Sequence, residues 1–173
     1  MPVISQWATP WHGLEAVLNI WNVCLGIAVF FLARVLAILY FMNNIDDESI
    51  RSQSWNRLLP ESIAFLLFFL AFLAHWLIAD GFAVNPDTQE IFMQPYKYAL
   101  NLLEMPYVTG ILLVGVILVL WGIGKTYLNP SYREGIWFSG TGTVLTVLAL
   151  LLCAGWNHTA YYPSITDLQS SLT

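Results

Sequence analysis

Residues 18–42 read LNIWNVCLGIAVFFLARVLAILYFM, and Arg34 is the only charge among them. Whether this stretch crosses a bilayer decides the class of the whole chain. A hydrocarbon core of about 30 Å needs roughly 20 residues at about 1.5 Å each, so the length suffices. A central arginine costs about 2.5–3.5 kcal/mol on insertion, and each Leu, Ile, Phe or Val returns about 0.3–0.6 kcal/mol. Residues 17–41 hold fifteen of those four types. The apolar side wins by several kcal/mol, and the segment inserts. Arg34 still needs a partner, and the sequence offers no acidic residue at a matching depth.

Three further runs have the same character: residues 62–83, bounded by Glu61 and Asp80; residues 106–127, opened by Pro106 at a first-turn position; and residues 135–156. They are apolar all round rather than striped, which suits lipid. Composition agrees. Of 173 residues, 58% are hydrophobic and 10% charged, and the mean hydropathy is +0.65. Soluble domains carry about 25% charged residues. The expected fold is an all-α integral membrane bundle of four helices, with residues 1–173 forming a single transmembrane region. A net charge of −5 leaves no basic stripe for nucleic acid. Cys24 and Cys153 lie inside apolar runs and read as buried thiols, not as a disulfide framework. The first residues, MPVISQWATPWHGLE, have no basic or compact apolar region of a signal peptide.

Orientation is read from the basic residues. Arg51 and Arg57 fall between the first two segments, and Lys125 and Arg133 between the last two. The positive-inside rule puts both connections in the cytoplasm and both termini outside. Trp7, Trp11, Trp21, Trp76 and Trp156 then fall near the outer interface, and Trp55, Trp121 and Trp137 near the inner one. On the last segment, Gly135, Ser139 and Thr143 form a small-residue face, for packing within the bundle or against a separate subunit. PYKYALNLLEMP, residues 95–106, reads as a short interfacial helix.

Side chains with chemistry are few. His12, His75 and His158 fall at one depth, which allows a haem or metal site but matches no ligand motif; the other reading is three hydrogen-bonding residues at an interface. Asp80 is either a cation or proton-path group or a helix-end carboxylate in water. Glu104, just before Pro106, suits the positive N-terminus of the third segment. Arg34 either snorkels inward or bonds backbone carbonyls, or it pairs with a group on a missing or partner helix. No phosphate-binding loop, nucleophile elbow, CxxC or zinc-protease helix is present. These residues define no catalytic, cofactor-binding or metal site, and a free-standing four-helix scaffold or small transporter stays open.

Several stretches, in order, resemble one family: WHGLEAVLNIWNVCLGIAVFFLARVLAILYF, LIADGFAVNPDTQEIFMQPYKY, NLLEMP, YREGIWFSGTGTVLTVLALLL and AGWNHTAYYPSITDLQSSLT. Together they are similar to subunit II of cytochrome bd-type quinol oxidases, over nearly the whole chain. The similarity is to the later half of that subunit, without its earlier bundle or its last helix, which implies a fragment. The resemblance also implies a complex that oxidises quinol and reduces dioxygen to water in a bacterial inner membrane. Haem b and haem d would then be held by subunit I, and this chain would pack against that partner and supply no haem ligand. Asp80 aligns with the acidic residue of the family's DG pair, with no role to carry across.

Overall fold

The computed structural model describes Pro10, residues 14–160 and Gln169. Helices dominate. After a short 3-10 turn at Leu14–Leu18, α1 spans Ile20–Asn44, α2 Glu48–Ile78, α3 Lys97–Glu104, α4 Pro106–Leu128 and α5 Gly135–Gly155. Two short strands, β1 at Gly81–Val84 and β2 at Ile91–Gln94, lie between α2 and α3. Among the described residues, α1, α2, α4 and α5 are long and apolar enough to cross a membrane. The chain is a multi-pass all-α membrane bundle. At most a third of the most apolar window of each helix is buried inside the chain, so most of its apolar surface is left for lipid or another protein.

Three helices begin and end close to the sequence expectation. The second does not. It starts fourteen residues earlier than its apolar run and runs through Pro60. The Asp47 side chain caps it, accepting the Ile50 N–H at 2.9 Å. Buried Ser54, Leu58, Glu61, Ser62 and Phe65 mark one face across the proline. A polar prelude plus a proline imitates a loop, but the inward face keeps helical spacing throughout. The connection from α1 shrinks to residues 45–47. At its other end α2 stops at Ile78, so residues 81–83 of the expected segment lie in a strand.

α1 packs along α2 and α4 along α5, and the two pairs meet more sparsely. Val35, Ile38, Leu39, Met42, Leu58 and Phe65 form the main core with Val119 and Ile123. The α4–α5 seam is built differently. Its buried positions are Val108, Leu112, Gly115, Val119, Gly122 and Thr126 on α4, facing Gly135, Ser139, Gly142, Thr146, Ala149 and Cys153 on α5. Both series repeat at alternating steps of four and three, the seam of a coiled coil. A Cβ on Gly115 would lie 2.7 Å from the Thr146 nitrogen, and one on Gly142 2.5 Å from the Gly115 oxygen. The backbones therefore touch, as small residues permit. Ser139 Oγ donates to the Val119 carbonyl across the seam at 3.1 Å. The small-residue face of the last helix is thus used inside the chain by Gly135 and Ser139. Thr143 is half-buried and donates to the Ser139 carbonyl of its own helix at 2.8 Å.

The two ends of the bundle differ. At the basic end, Arg133 pairs with Asp46 at 2.7 Å, Arg51 donates to the Pro130 carbonyl at 3.0 Å, and Trp55 donates to the Tyr127 carbonyl at 3.1 Å. Each contact ties one helix pair to the other. At the opposite end, β1 and β2 form an antiparallel hairpin, Gly81 opposite Gln94 and Val84 opposite Ile91. Residues 158–160 run along β1: Val84 N–H donates to the His158 carbonyl at 2.8 Å and Ala160 N–H to the Phe82 carbonyl at 2.9 Å. α3 is a short helix at this end, within the PYKYALNLLEMP stretch whose sequence predicts one. It buries Lys97 and Asn101 and exposes Leu103. A polar inward face and an apolar outward face suit a helix lying at a membrane interface.

Candidate functional site: an intramembrane ion pair and a polar junction

Arg34 has its partner within the chain, contrary to the sequence expectation. Its Nε donates to Glu61 Oε2 at 2.7 Å, and its Nη2 donates to Oε1. The contact is a two-point fork between α1 and α2. The Glu61 side chain is 8% exposed and that of Arg34 48%, so the carboxylate is sealed in the bundle and the guanidinium lies on its surface. Hydropathy hides this partner, because Glu61 reads as the boundary of a helix that in fact passes through it. Once α2 starts at Glu48, Glu61 lies thirteen residues in from the basic end and Arg34 ten residues in along α1, within one helical turn of each other in depth.

Removing the acid should cost more than removing both charges. Glu61→Gln leaves the guanidinium without a counter-charge, and its melting midpoint in lipid nanodiscs should fall by on the order of 5 °C. Arg34→Leu with Glu61→Leu removes both groups and should recover most of that fall. Equal losses in the two variants would show that the pair does not couple.

The second polar cluster lies where α3, the end of α5 and residues 157–160 converge. Asn101 is 0% exposed. Its Nδ2 donates to the Cys153 carbonyl and to Thr159 Oγ1, each at 2.9 Å. Its Oδ1 accepts from Asn157 Nδ2 at 3.1 Å. Asn157 Nδ2 also donates to the Glu104 carboxylate. Lys97, 4% exposed, donates from Nζ to the Asn157 carbonyl at 2.9 Å. Burial pushes the Lys97 ammonium below its ordinary pKa, and nearby Glu104 partly offsets this. Burial likewise raises the Tyr98 phenol, whose ring stacks on Trp76 with centroids 4.7 Å apart. Asn157 and His158 hold φ values of 58° and 54°. Two successive left-handed residues without glycine are costly, and the network around Asn157 is what holds them.

A cleft of about 760 Å³ opens beside this junction, with Glu104, Asn157, His158 and Trp156 on its walls. Glu104 ends α3 and bonds to Asn157, rather than serving only the N-terminus of α4. Asp80 is exposed, just beyond the end of α2. The histidines are placed apart. His75 stacks on Trp21 at 4.0 Å between centroids, His158 lines the cleft, and His12 lies outside the described residues, as do Trp7 and Trp11. Among the described residues, no group of three His, Cys, Asp or Glu side chains is arranged to hold a metal ion. Both cysteines are free, Cys153 buried and Cys24 half-buried.

Asn101, the centre of the junction, is not legible in the sequence, because a neutral amide on a short helix resembles any surface residue. In comparisons with family models, curated proteins and solved structures, the chain matches none.

Proposed function

We propose that the chain is a membrane subunit of a cytochrome bd-type quinol:dioxygen oxidoreductase, packed against a haem-bearing subunit I in a bacterial inner membrane. The observation that carries this reading is the ordered resemblance of five stretches, from WHGLE near the start to QSSLT at the end. The bundle supports a role as a wall: its apolar helix surfaces are mostly open to a neighbour. In this reading haem b and haem d, held by the partner, carry electrons from quinol to dioxygen. This chain's own residues exclude water and present an apolar flank, and the basic end faces the cytoplasm. Catalytic residues are assigned to the partner.

The test is capture of the tagged chain from its native membrane in mild detergent. The expected result is a larger co-purifying subunit whose spectrum carries b- and d-type haem bands, with quinol-dependent oxygen uptake by the complex. A chain that leaves the membrane without any haem protein, as a stable and monodisperse particle, would overturn the assignment and favour a free-standing scaffold or transporter.

A further inference from the structure

On the outer seam of α1 and α2 near the basic end lies a groove of about 310 Å³. Its polar wall is Arg34, Gln53, Ser54 and Arg57, and its apolar wall includes Ile38 and Phe41. The charges do not cancel. Arg34 is held by Glu61, whereas Arg57 makes no hydrogen bond or ion pair among the described residues. Ser54 is buried, and its hydroxyl is likewise without a bond among them. Gln53 uses one amide N–H on Ser49, at 3.3 Å. Among the described residues, the groove therefore presents one uncompensated guanidinium, a hydroxyl and an amide beside apolar side chains.

Its depth says what it faces. The apolar part of α2, residues 58–78, is about 31 Å long at about 1.5 Å per residue, which matches a hydrocarbon core. Arg57 is the first residue outside that stretch, and Trp55 beside it belongs at an interface. The Arg34–Glu61 pair lies about one helical turn deeper. Arg57 is thus level with lipid phosphates, and Phe41 and Ile38 flank the groove. We propose that this groove binds the headgroup of an anionic phospholipid: its phosphodiester accepts from Arg57, Ser54 and Gln53, and an acyl chain runs along the apolar wall. The single net negative charge of such a lipid matches the guanidinium of Arg57, the one in the groove left without a partner among the described residues. A zwitterionic lipid brings its own cation and gains less. Inorganic phosphate shares the acceptor chemistry but has no chain to bury.

The experiment uses the protein with whatever subunits leave its native membrane with it. It is exchanged into nanodiscs of phosphatidylcholine with rising phosphatidylglycerol, and retained lipid is read by native mass spectrometry. One phosphatidylglycerol should be retained in preference to phosphatidylcholine. Arg57→Gln should weaken that retention about fivefold, the effect of one basic side chain near an anionic surface. Gln53→Glu, at an exposed position that leaves the core untouched, should weaken it at least as much, and Lys125→Gln on α4 should leave it unchanged. Equal retention of the two lipids, or unchanged retention in both groove variants, overturns the proposal. So does displacement of the lipid by inorganic phosphate alone, or loss of a protein subunit from Arg57→Gln with lipid retention intact, since an acidic partner helix would then be the occupant.

Discussion

Gly122→Leu should separate α4 from α5. A Cβ at this position would already lie 2.5 Å from the Gly135 carbonyl oxygen and 2.9 Å from the Ser139 nitrogen. The Ser139 hydroxyl lies closer still, but these two obstacles are backbone, so no rotamer change clears them. The helices must move apart, and the separation acts along the whole seam. Ser139 loses its bond to the Val119 carbonyl, and the matching contact of Gly115 with Gly142 opens. Overpacking a filled core costs about 1–3 kcal/mol, and more where backbone must shift. We expect the upper end of that range or beyond, seen as a melting midpoint in nanodiscs lower by on the order of 10 °C. A Cβ on Gly124 of the same helix would meet nothing within 4 Å, so Gly124→Leu provides the control and should melt near the parent. A midpoint for Gly122→Leu equal to that of Gly124→Leu would mean the close seam does not hold the helix pair.

The same seam shows how far the sequence can be read. Length and apolarity place α1, α4 and α5 within about two residues, because lipid imposes a simple demand on each spanning segment. Pro106 at the start of α4 and Gly135 at the start of α5 sharpen two boundaries. The small residues of α5 are visible, but their partner surface is not, since Gly115 and Gly122 reveal their register only when two helices are laid together. The start of α2 is hidden for a different reason. Hydropathy reports contact with lipid, and residues 48–57 project beyond it. A usable signal lies in the spacing of Ser54, Leu58, Glu61 and Phe65, which continues one helical face across Pro60. That face brings Glu61 to the level of Arg34. The β-hairpin is concealed by its size: four-residue strands between apolar helices carry too little pattern to stand out, although Asn85-Pro86-Asp87 is a turn signal.

Asn101→Leu should release the chain segment after α5 while leaving the four spanning helices in place. Leucine shares the branched shape of asparagine, so the substitution removes hydrogen bonds more than it removes packing. Three groups each lose one hydrogen bond at once: the Cys153 carbonyl, Thr159 Oγ1 and the Asn157 amide. Thr159 retains its own bond to the Trp156 carbonyl, at 2.6 Å, and Asn157 retains Glu104. The Cys153 carbonyl, at the buried end of α5, is the group left worst served. A buried polar group without a partner costs about 1–3 kcal/mol, and the left-handed backbone of Asn157 and His158 adds strain that only the network offsets. The cost should therefore be about 2–4 kcal/mol, concentrated at one end. Hydrogen exchange is the measurement of choice. The Val84 and Ala160 amides, which tie residues 158–160 to β1, should exchange at least about tenfold faster in Asn101→Leu, while amides in the middle of α1 and α2 keep the parent rate. Asn101→Asp keeps an acceptor for Asn157 but loses both donated bonds, so it should fall between the two if each bond contributes. Uniform acceleration across all helices would instead show that the junction supports the whole bundle, and an unchanged rate at Val84 and Ala160 would show that the amide does not hold this end closed.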